Sequence, residues 1–102
     1  ARHRRRFLAR WFDDRELPGD APAERVAGRW AAKEAAAKAL GTGFAHGIVP
    51  SQIAVLADAA GAPSLHLAGA ALARAQALGA RRCHVSLSHA DGVAVATVIL
   101  ES

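Results

Sequence analysis

Four side chains on one predicted helix form a stripe that ends in an acid and a base. Val26, Trp30, Glu34 and Lys38 are spaced four residues apart, so a helix places them on one face. In one interpretation, Glu34 and Lys38 form an ion pair that supports the helix by about 0.2–0.5 kcal/mol. In the other, the Glu34 carboxylate binds a hard cation such as Mg²⁺, and Lys38 neutralises phosphate. The spacing alone favours the ion pair.

A short glycine-rich segment, Gly41-Thr42-Gly43, follows this stripe after two intervening residues. Glycines let a phosphate group approach the backbone closely. The segment differs from a P-loop, because its lysine comes first and because it follows a helix. The negative end of the helix dipole also disfavours an anion here. The pattern therefore favours a helix C-cap, with Gly41 in the left-handed conformation.

A second polar pattern lies near the end of the chain. If this segment is a strand, His84, Ser86 and Ser88 face one side and His89 faces the other. We therefore do not expect the two histidines to bind one metal. A polar face on an apolar strand is typical either of a lined cavity or of a solvent-facing edge. Cys83 precedes His84 directly, so we expect it to be a small packing residue and not a nucleophile paired with that histidine.

The elements that must position these residues can be read from periodicity and turn signals. The 102 residues are enough for one domain. The pattern predicts helices at residues 4–11, 23–40 and 69–78, a short helical turn at 13–17, and strands at 53–57, 64–67, 82–88 and 93–100. Asp91-Gly92 between two apolar runs predicts a tight hairpin. The predicted fold is α+β, with an antiparallel sheet packed against one long helix.

Charge and composition limit the kinds of partner that this chain can bind. The formal net charge is +4, and residues 1–10 contain five arginines and no acid. Such a segment suits nucleic acid, phosphate, a lipid surface or an acidic protein, although it is also typical of a solvated helix face. The single cysteine excludes an intrachain disulfide and agrees with a reducing compartment. Apolar runs stay well below the roughly 20 residues that a membrane-spanning helix needs.

Two segments together resemble the signature of the holo-acyl-carrier-protein synthases, which are 4′-phosphopantetheinyl transferases. They are GRWAAKEA at residues 28–35 with KALGTG at 38–43, and HVSLSH at 84–89. The GAP sequence at 61–63 fits as well. The resemblance covers nearly the whole chain, so residues 1–102 are interpreted as a single domain with the 4′-phosphopantetheinyl transferase-like fold.

The resemblance implies a reaction and its partners. Such enzymes move 4′-phosphopantetheine from coenzyme A to a serine of apo-acyl-carrier protein and leave 3′,5′-ADP. The carrier protein serves fatty acid or polyketide synthesis. The family is homotrimeric, with active sites between neighbouring subunits. We therefore expect a cytoplasmic enzyme that uses Mg²⁺ and needs neither nucleic acid nor a membrane.

The resemblance also assigns roles to residues. Glu34 would ligate Mg²⁺, and Lys38 would pair with phosphate oxygens. Arg29 and His84 would hold the 3′-phosphate of coenzyme A, with Ser86 nearby. Gly41, Thr42 and Gly43 would lie along the nucleotide. Arg6 and Arg10 would meet the acidic helix of the carrier protein, where such charges mainly set the association rate. The resemblance does not identify the general base.

One part of the family pattern lacks a match. Family members begin with a strand that carries Gly-x-Gly-x-Asp, whose aspartate is the second protein ligand of Mg²⁺. The sequence starts after that strand, and neither Asp13 nor Asp14 matches it. We expect the strand to belong to a preceding segment, because an inner strand is hard to lose from so small a core.

Two other functions stay open at this point. The basic segment could make the chain a nucleic-acid-binding module, which would leave Glu34, Lys38 and residues 84–89 unexplained. Alternatively, the chain could be a catalytically inactive oligomerisation domain of a larger synthase.

Overall fold

The computed structural model describes Phe12, Arg15, Glu16 and residues 21–102. These residues form helices α1 (Ala23–Ala39) and α2 (Gly69–Ala77) and strands β1 (Ile53–Ala57), β2 (Pro63–Leu67), β3 (Arg82–Ala90) and β4 (Val93–Glu101). A short 3-10 helix, Pro50–Gln52, leads into β1. The predicted helix at residues 4–11, with Arg6 and Arg10, lies outside the described residues.

The described strands form two antiparallel pairs, β1 with β2 and β3 with β4. The second pair runs from Arg82 opposite Glu101 to Ala90 opposite Val93. Its two-residue turn places Asp91 at φ 51° and Gly92 at φ 77°. A tight hairpin turn of this kind needs positive φ at both central positions, so the Asp-Gly signal predicted it correctly. The α+β prediction, with an antiparallel sheet against one long helix, is confirmed.

Helix α1 forms because its sequence consists mostly of alanine and long, unbranched charged residues, which favour helix. It ends where predicted. Gly41 takes φ 80°, and the N–H groups of Thr42 and Gly43 donate to the Ala37 carbonyl, at 3.4 and 3.1 Å. These bonds satisfy a carbonyl that the helix end would otherwise leave unpaired.

The main core lies between α1, α2 and the strands. Small side chains dominate it, so α1 can lie close to its neighbours. The buried members are Ala36, Ala37, Leu40, Ile48, Ile53, Ala71 and Ala75, and Val98 and Leu100 of β4 pack against them. Leu40, Ile53 and Val55 are among the largest fully buried side chains.

Lys33 is a fully buried charged residue within this small interior. Its Nζ atom lies 2.7 Å from Glu16 Oε1. It also donates to the carbonyl oxygens of Pro50 at 2.8 Å and Ile53 at 2.7 Å, so its three protons all have acceptors. Glu16 in turn accepts the backbone N–H of Val55 at 2.9 Å through Oε2. The pair therefore ties α1, the start of β1 and the segment around Glu16 together.

Replacing Lys33 tests this role. In Lys33→Met the methionine fills similar space but leaves the Glu16 carboxylate buried without its cation. We expect the free energy of unfolding to fall by about 3–5 kcal/mol, as for other broken buried pairs. The measurement is urea denaturation at fixed protein concentration. Lys38→Met is the matched control, because Lys38 is exposed on the same helix. Equal stability of the two variants would contradict the prediction.

Candidate functional site

Glu34 and Lys38 both lie on the exposed side of α1. In the described part of the chain no ion pair joins them to each other or to another residue. The structure therefore does not show the helix-supporting ion pair that the spacing favoured. A carboxylate and an ammonium group one helical turn apart are both available to a ligand.

The loop after these residues has a backbone suited to close approach. Gly41 and Gly43 have positive φ, 80° and 59°, and a side chain added at Gly43 would meet nothing. The Arg74 Nε atom donates to the Leu40 carbonyl at 2.9 Å. This cation lies at the helix end whose dipole alone would repel an anion. Residues 41–43 are thus open, and a positive charge lies beside them.

A second polar region lies around Arg25 and Arg29, one turn apart on α1. Two neighbouring cavities meet here. The first, of about 640 Å³, is lined by Arg15, Glu16, Arg25, Arg29, Leu56, Ala57 and Gly61. The second, of about 400 Å³, adds Pro22, Glu24, Gly28, Pro63, Leu87 and His89 to Arg25, Arg29 and Gly61. We call the pair the arginine cavity.

Arg29 is the cation best placed to bind an anion in this cavity. Burial lowers the pKa of its guanidinium, Glu16 opposes that shift, and the neighbouring charge of Arg25 adds to it. An arginine keeps its charge despite such a shift. Its Nε atom is buried without a hydrogen-bond partner among the described residues. A partly desolvated cation with a donor to spare favours phosphate, which accepts hydrogen bonds strongly.

The histidines separate as the strand alternation predicts. His84 lies with Ser86 and Ser88 on the exposed face of β3, its Nε2 atom 3.6 Å from Glu101 Oε1. His89 faces α1, and its Nε2 atom lies 3.0 Å from the Glu24 carbonyl oxygen. The expectation that Arg29 and His84 hold one phosphate is therefore not met within one chain. Residues an odd number apart on a strand face opposite sides, and His89 shares the cavity with Arg29.

Cys83 behaves as the packing residue that the sequence indicates. It is half-buried, and burial raises the pKa of its thiol. The reactive thiolate is disfavoured in such a setting.

Helix α1 therefore presents two candidate binding regions on two sides. Arg29 and Glu34 are five positions apart, which turns their directions by about 140° on a helix. The family resemblance named Arg29 and His84, whereas the structure places Arg25 and His89 beside Arg29. The i,i+4 spacing of Arg25 and Arg29 was a usable signal. Nothing in the sequence showed which face of β3 packs against α1.

Glu34 is the residue best suited to a divalent cation. No group of three or more histidine, cysteine, aspartate or glutamate side chains comes together in the described ranges. Mg²⁺ nevertheless fits an exposed single carboxylate, because it usually takes one or two protein carboxylates with substrate phosphates and waters. The neighbouring Lys38 suits the same phosphates.

Comparison with known proteins decides the family. Residues 1–98 match the model of the 4′-phosphopantetheinyl transferase superfamily. The chain belongs to this superfamily. It is 57% identical over 99 residues to the holo-[acyl-carrier-protein] synthase of Solidesulfovibrio magneticus, covering 94% of this chain and 80% of the relative. It is also 57% identical over 86 residues to that of Nitratidesulfovibrio vulgaris, covering 84% and 69%.

Solved transferase structures agree. The holo-[acyl-carrier-protein] synthase of Neisseria meningitidis matches with a TM-score of 0.81 and 32% identity, over 95% of this chain and 81% of that one. The Helicobacter pylori enzyme, solved with coenzyme A, matches with a TM-score of 0.75 and 25% identity, over 98% and 85%. The family resemblance and the phosphopantetheinyl transferase fold are thereby confirmed. In the described residues no helix is both long and apolar enough to cross a membrane.

Proposed function

We propose that this chain transfers 4′-phosphopantetheine from coenzyme A to a serine of apo-acyl-carrier protein and releases 3′,5′-ADP. Its superfamily and the names of its relatives support this reaction. The observation that carries the proposal is the exposed acid and base on α1, Glu34 and Lys38, which lead into the open loop at residues 41–43. We place the reaction in the cytoplasm, which suits a chain with a single cysteine.

The chemistry assigns a task to each group. The serine oxygen forms a bond to the β-phosphorus of coenzyme A, and the bond from that phosphorus to the bridging oxygen breaks. Glu34 would hold the Mg²⁺, and Lys38 pairs with the pyrophosphate oxygens as charge moves onto the leaving group. When bound, Mg²⁺ supplies additional positive charge at these oxygens. Gly41, Thr42 and Gly43 lie along the nucleotide and leave room for it.

The arginine cavity is proposed to receive the 3′-phosphate of coenzyme A. Arg25 and Arg29 supply two positive charges, and the Nε–H of Arg29, which has no hydrogen-bond partner among the described residues, supplies a donor. His89 takes the role that the family resemblance gave to His84, because it lines the same cavity.

The two sides of α1 lead us to propose a homotrimer in which each active site joins two copies. Glu34 and the arginine cavity point about 140° apart. One ligand can therefore contact both most simply when one copy supplies Glu34 and a neighbouring copy supplies the arginine cavity. The outer face of the β3–β4 hairpin supports such packing. Val93, Val95 and Ile99 are 59%, 55% and 56% exposed there, on the face that also carries His84 and Ser86. Three exposed β-branched apolar side chains on one strand face are more than a solvent-facing strand needs, and they suit contact with another copy.

The reaction can be tested by intact mass spectrometry of the carrier protein. We expect incubation of apo-acyl-carrier protein with this chain, coenzyme A and Mg²⁺ to add one phosphopantetheine, and EDTA to prevent the addition. If nothing is added, the assay is repeated with the N-terminal segment of the Solidesulfovibrio magneticus relative fused to residue 1. Failure of the extended protein as well would favour an inactive oligomerisation domain.

The interfacial site can be tested by mixing inactive variants. We expect Glu34→Gln to abolish transfer and Arg29→Gln to raise the KM for coenzyme A steeply, each with an unchanged fold. The assay uses a coenzyme A concentration far below that raised KM, at which both variants are inactive. When the two are unfolded together and refolded as mixed oligomers, some sites combine an intact Glu34 with an intact Arg29 from another copy. Activity should then return in the assay above. Mixtures that stay as inactive as the separate variants would place both residues in one chain's site, or remove one from it.

The basic segment at residues 1–10 is proposed to dock the carrier protein. We expect Arg6→Glu to raise the KM for carrier protein and leave that for coenzyme A unchanged, since it reverses a charge that meets an acidic helix. The measurement is steady-state kinetics at two salt concentrations, with the effect smaller at high salt. Arg81→Glu, an exposed change before β3, is the control. Equal effects on both substrates would contradict the docking role of Arg6.

A further inference from the structure

The imidazole of His89 lies directly over Gly28 of α1. A Cβ atom built on Gly28 would be 2.8 Å from His89 Nε2 and 3.0 Å from its Cε1 atom. Real Cβ atoms essentially never come within 3.0 Å of another group, so any side chain at position 28 would push the ring away. The position therefore requires glycine for as long as the ring lies there.

The backbone of Gly28 gives no other reason for glycine. The residue lies in the interior of α1, and its φ is not among the positive values of the chain. A glycine in such a position destabilises a helix relative to alanine. The glycine is therefore explained by what packs against it and not by the shape of the helix.

The position of the His89 ring also determines which of its two nitrogens carries hydrogen. The Nε2 atom lies 3.0 Å from the carbonyl oxygen of Glu24, and a carbonyl can only accept a hydrogen bond. Nε2 must therefore carry hydrogen and donate. Nδ1 remains as the nitrogen that can meet a ligand. His89 lines the arginine cavity with Arg25 and Arg29, and Nδ1 can donate to a phosphate oxygen there only in the imidazolium form, which carries hydrogen on both nitrogens.

We propose that Gly28 is a positioning residue for coenzyme A: by lacking a side chain, it lets His89 donate from Nε2 to Glu24 and leaves Nδ1 to donate, from the imidazolium form, to the phosphate of the ligand. The inference rests on the proposed function, since the ligand it names is the substrate of that reaction. It assigns Gly28 no contact with the substrate itself. Its effect passes through His89.

Gly28→Ala separates this role from a structural one. Alanine favours helix, and the ring that it displaces belongs to a side chain that can rotate away. We expect the Tm to stay the same or rise. The KM for coenzyme A should rise about tenfold, as for the loss of one hydrogen bond to a charged group, with kcat within about twofold. A fall in Tm with kcat and KM changing together would overturn the proposal.

A double-mutant cycle with His89→Ala shows whether the effect passes through the histidine. In the His89→Ala background, Gly28→Ala should leave the KM for coenzyme A unchanged, because the ring it displaces is gone. An equal rise in both backgrounds would overturn the proposal, since Gly28 would then act without His89.

Nitrogen-15 NMR of the histidine rings provides a test without substrate. In the wild-type protein without coenzyme A, we expect His89 to be the tautomer with hydrogen on Nε2, and Gly28→Ala to lose this preference. The opposite tautomer in the wild type would overturn the proposal. If the expected tautomer is present but the wild type transfers no phosphopantetheine, the packing of Gly28 with His89 stands and the proposed function fails.

Discussion

The arrangement of this protein depends on an ammonium group that has no access to water. Burying a charge is tolerated only when a counter-charge and hydrogen bonds replace its hydration. For Lys33 the replacements come from Glu16 and from two backbone carbonyls next to β1. Because these acceptors surround one point, they fix the rotation of α1. Each residue turns a helix by about 100°, so fixing position 33 also fixes where Arg29 and Glu34 point.

An alanine-rich core complements this constraint. Small buried side chains along α1 let the helix lie close to β1 and β4, but each buries little apolar area. The hydrophobic effect alone therefore specifies the rotation of α1 about its axis only weakly. The charged pair supplies the missing specificity. The consequence is a helix that serves two ligand regions, with a carboxylate and a lysine on one side and two arginines on another. Under the proposed function, each of these regions is one half of an active site, and the proposed homotrimer would bring the two halves together.

The features that were predictable from sequence were local ones. The hairpin at Asp91-Gly92 and the cap at Gly41 depend on φ preferences of neighbouring residues, and β1 was predicted with its observed bounds. The pairing of Lys33 with Glu16 spans 17 residues and has no periodic signal. The alternation on β3 separated His84 from His89 correctly. Which of them meets Arg29 depends on the face that packs against α1, and that is a tertiary choice.

The acceptors of Lys33 differ in kind, and this difference constrains how the sequence can change. Two belong to the backbone at positions 50 and 53, where a carbonyl exists whatever the side chain. The side chains at those two positions can therefore change without loss of the hydrogen bonds. Only their burial limits which side chains fit. Positions 16 and 33 are not independent, since either change alone leaves a stranded charge. Homologues are expected to keep both residues or to exchange both for an apolar pair of similar volume. The two positions are therefore expected to covary.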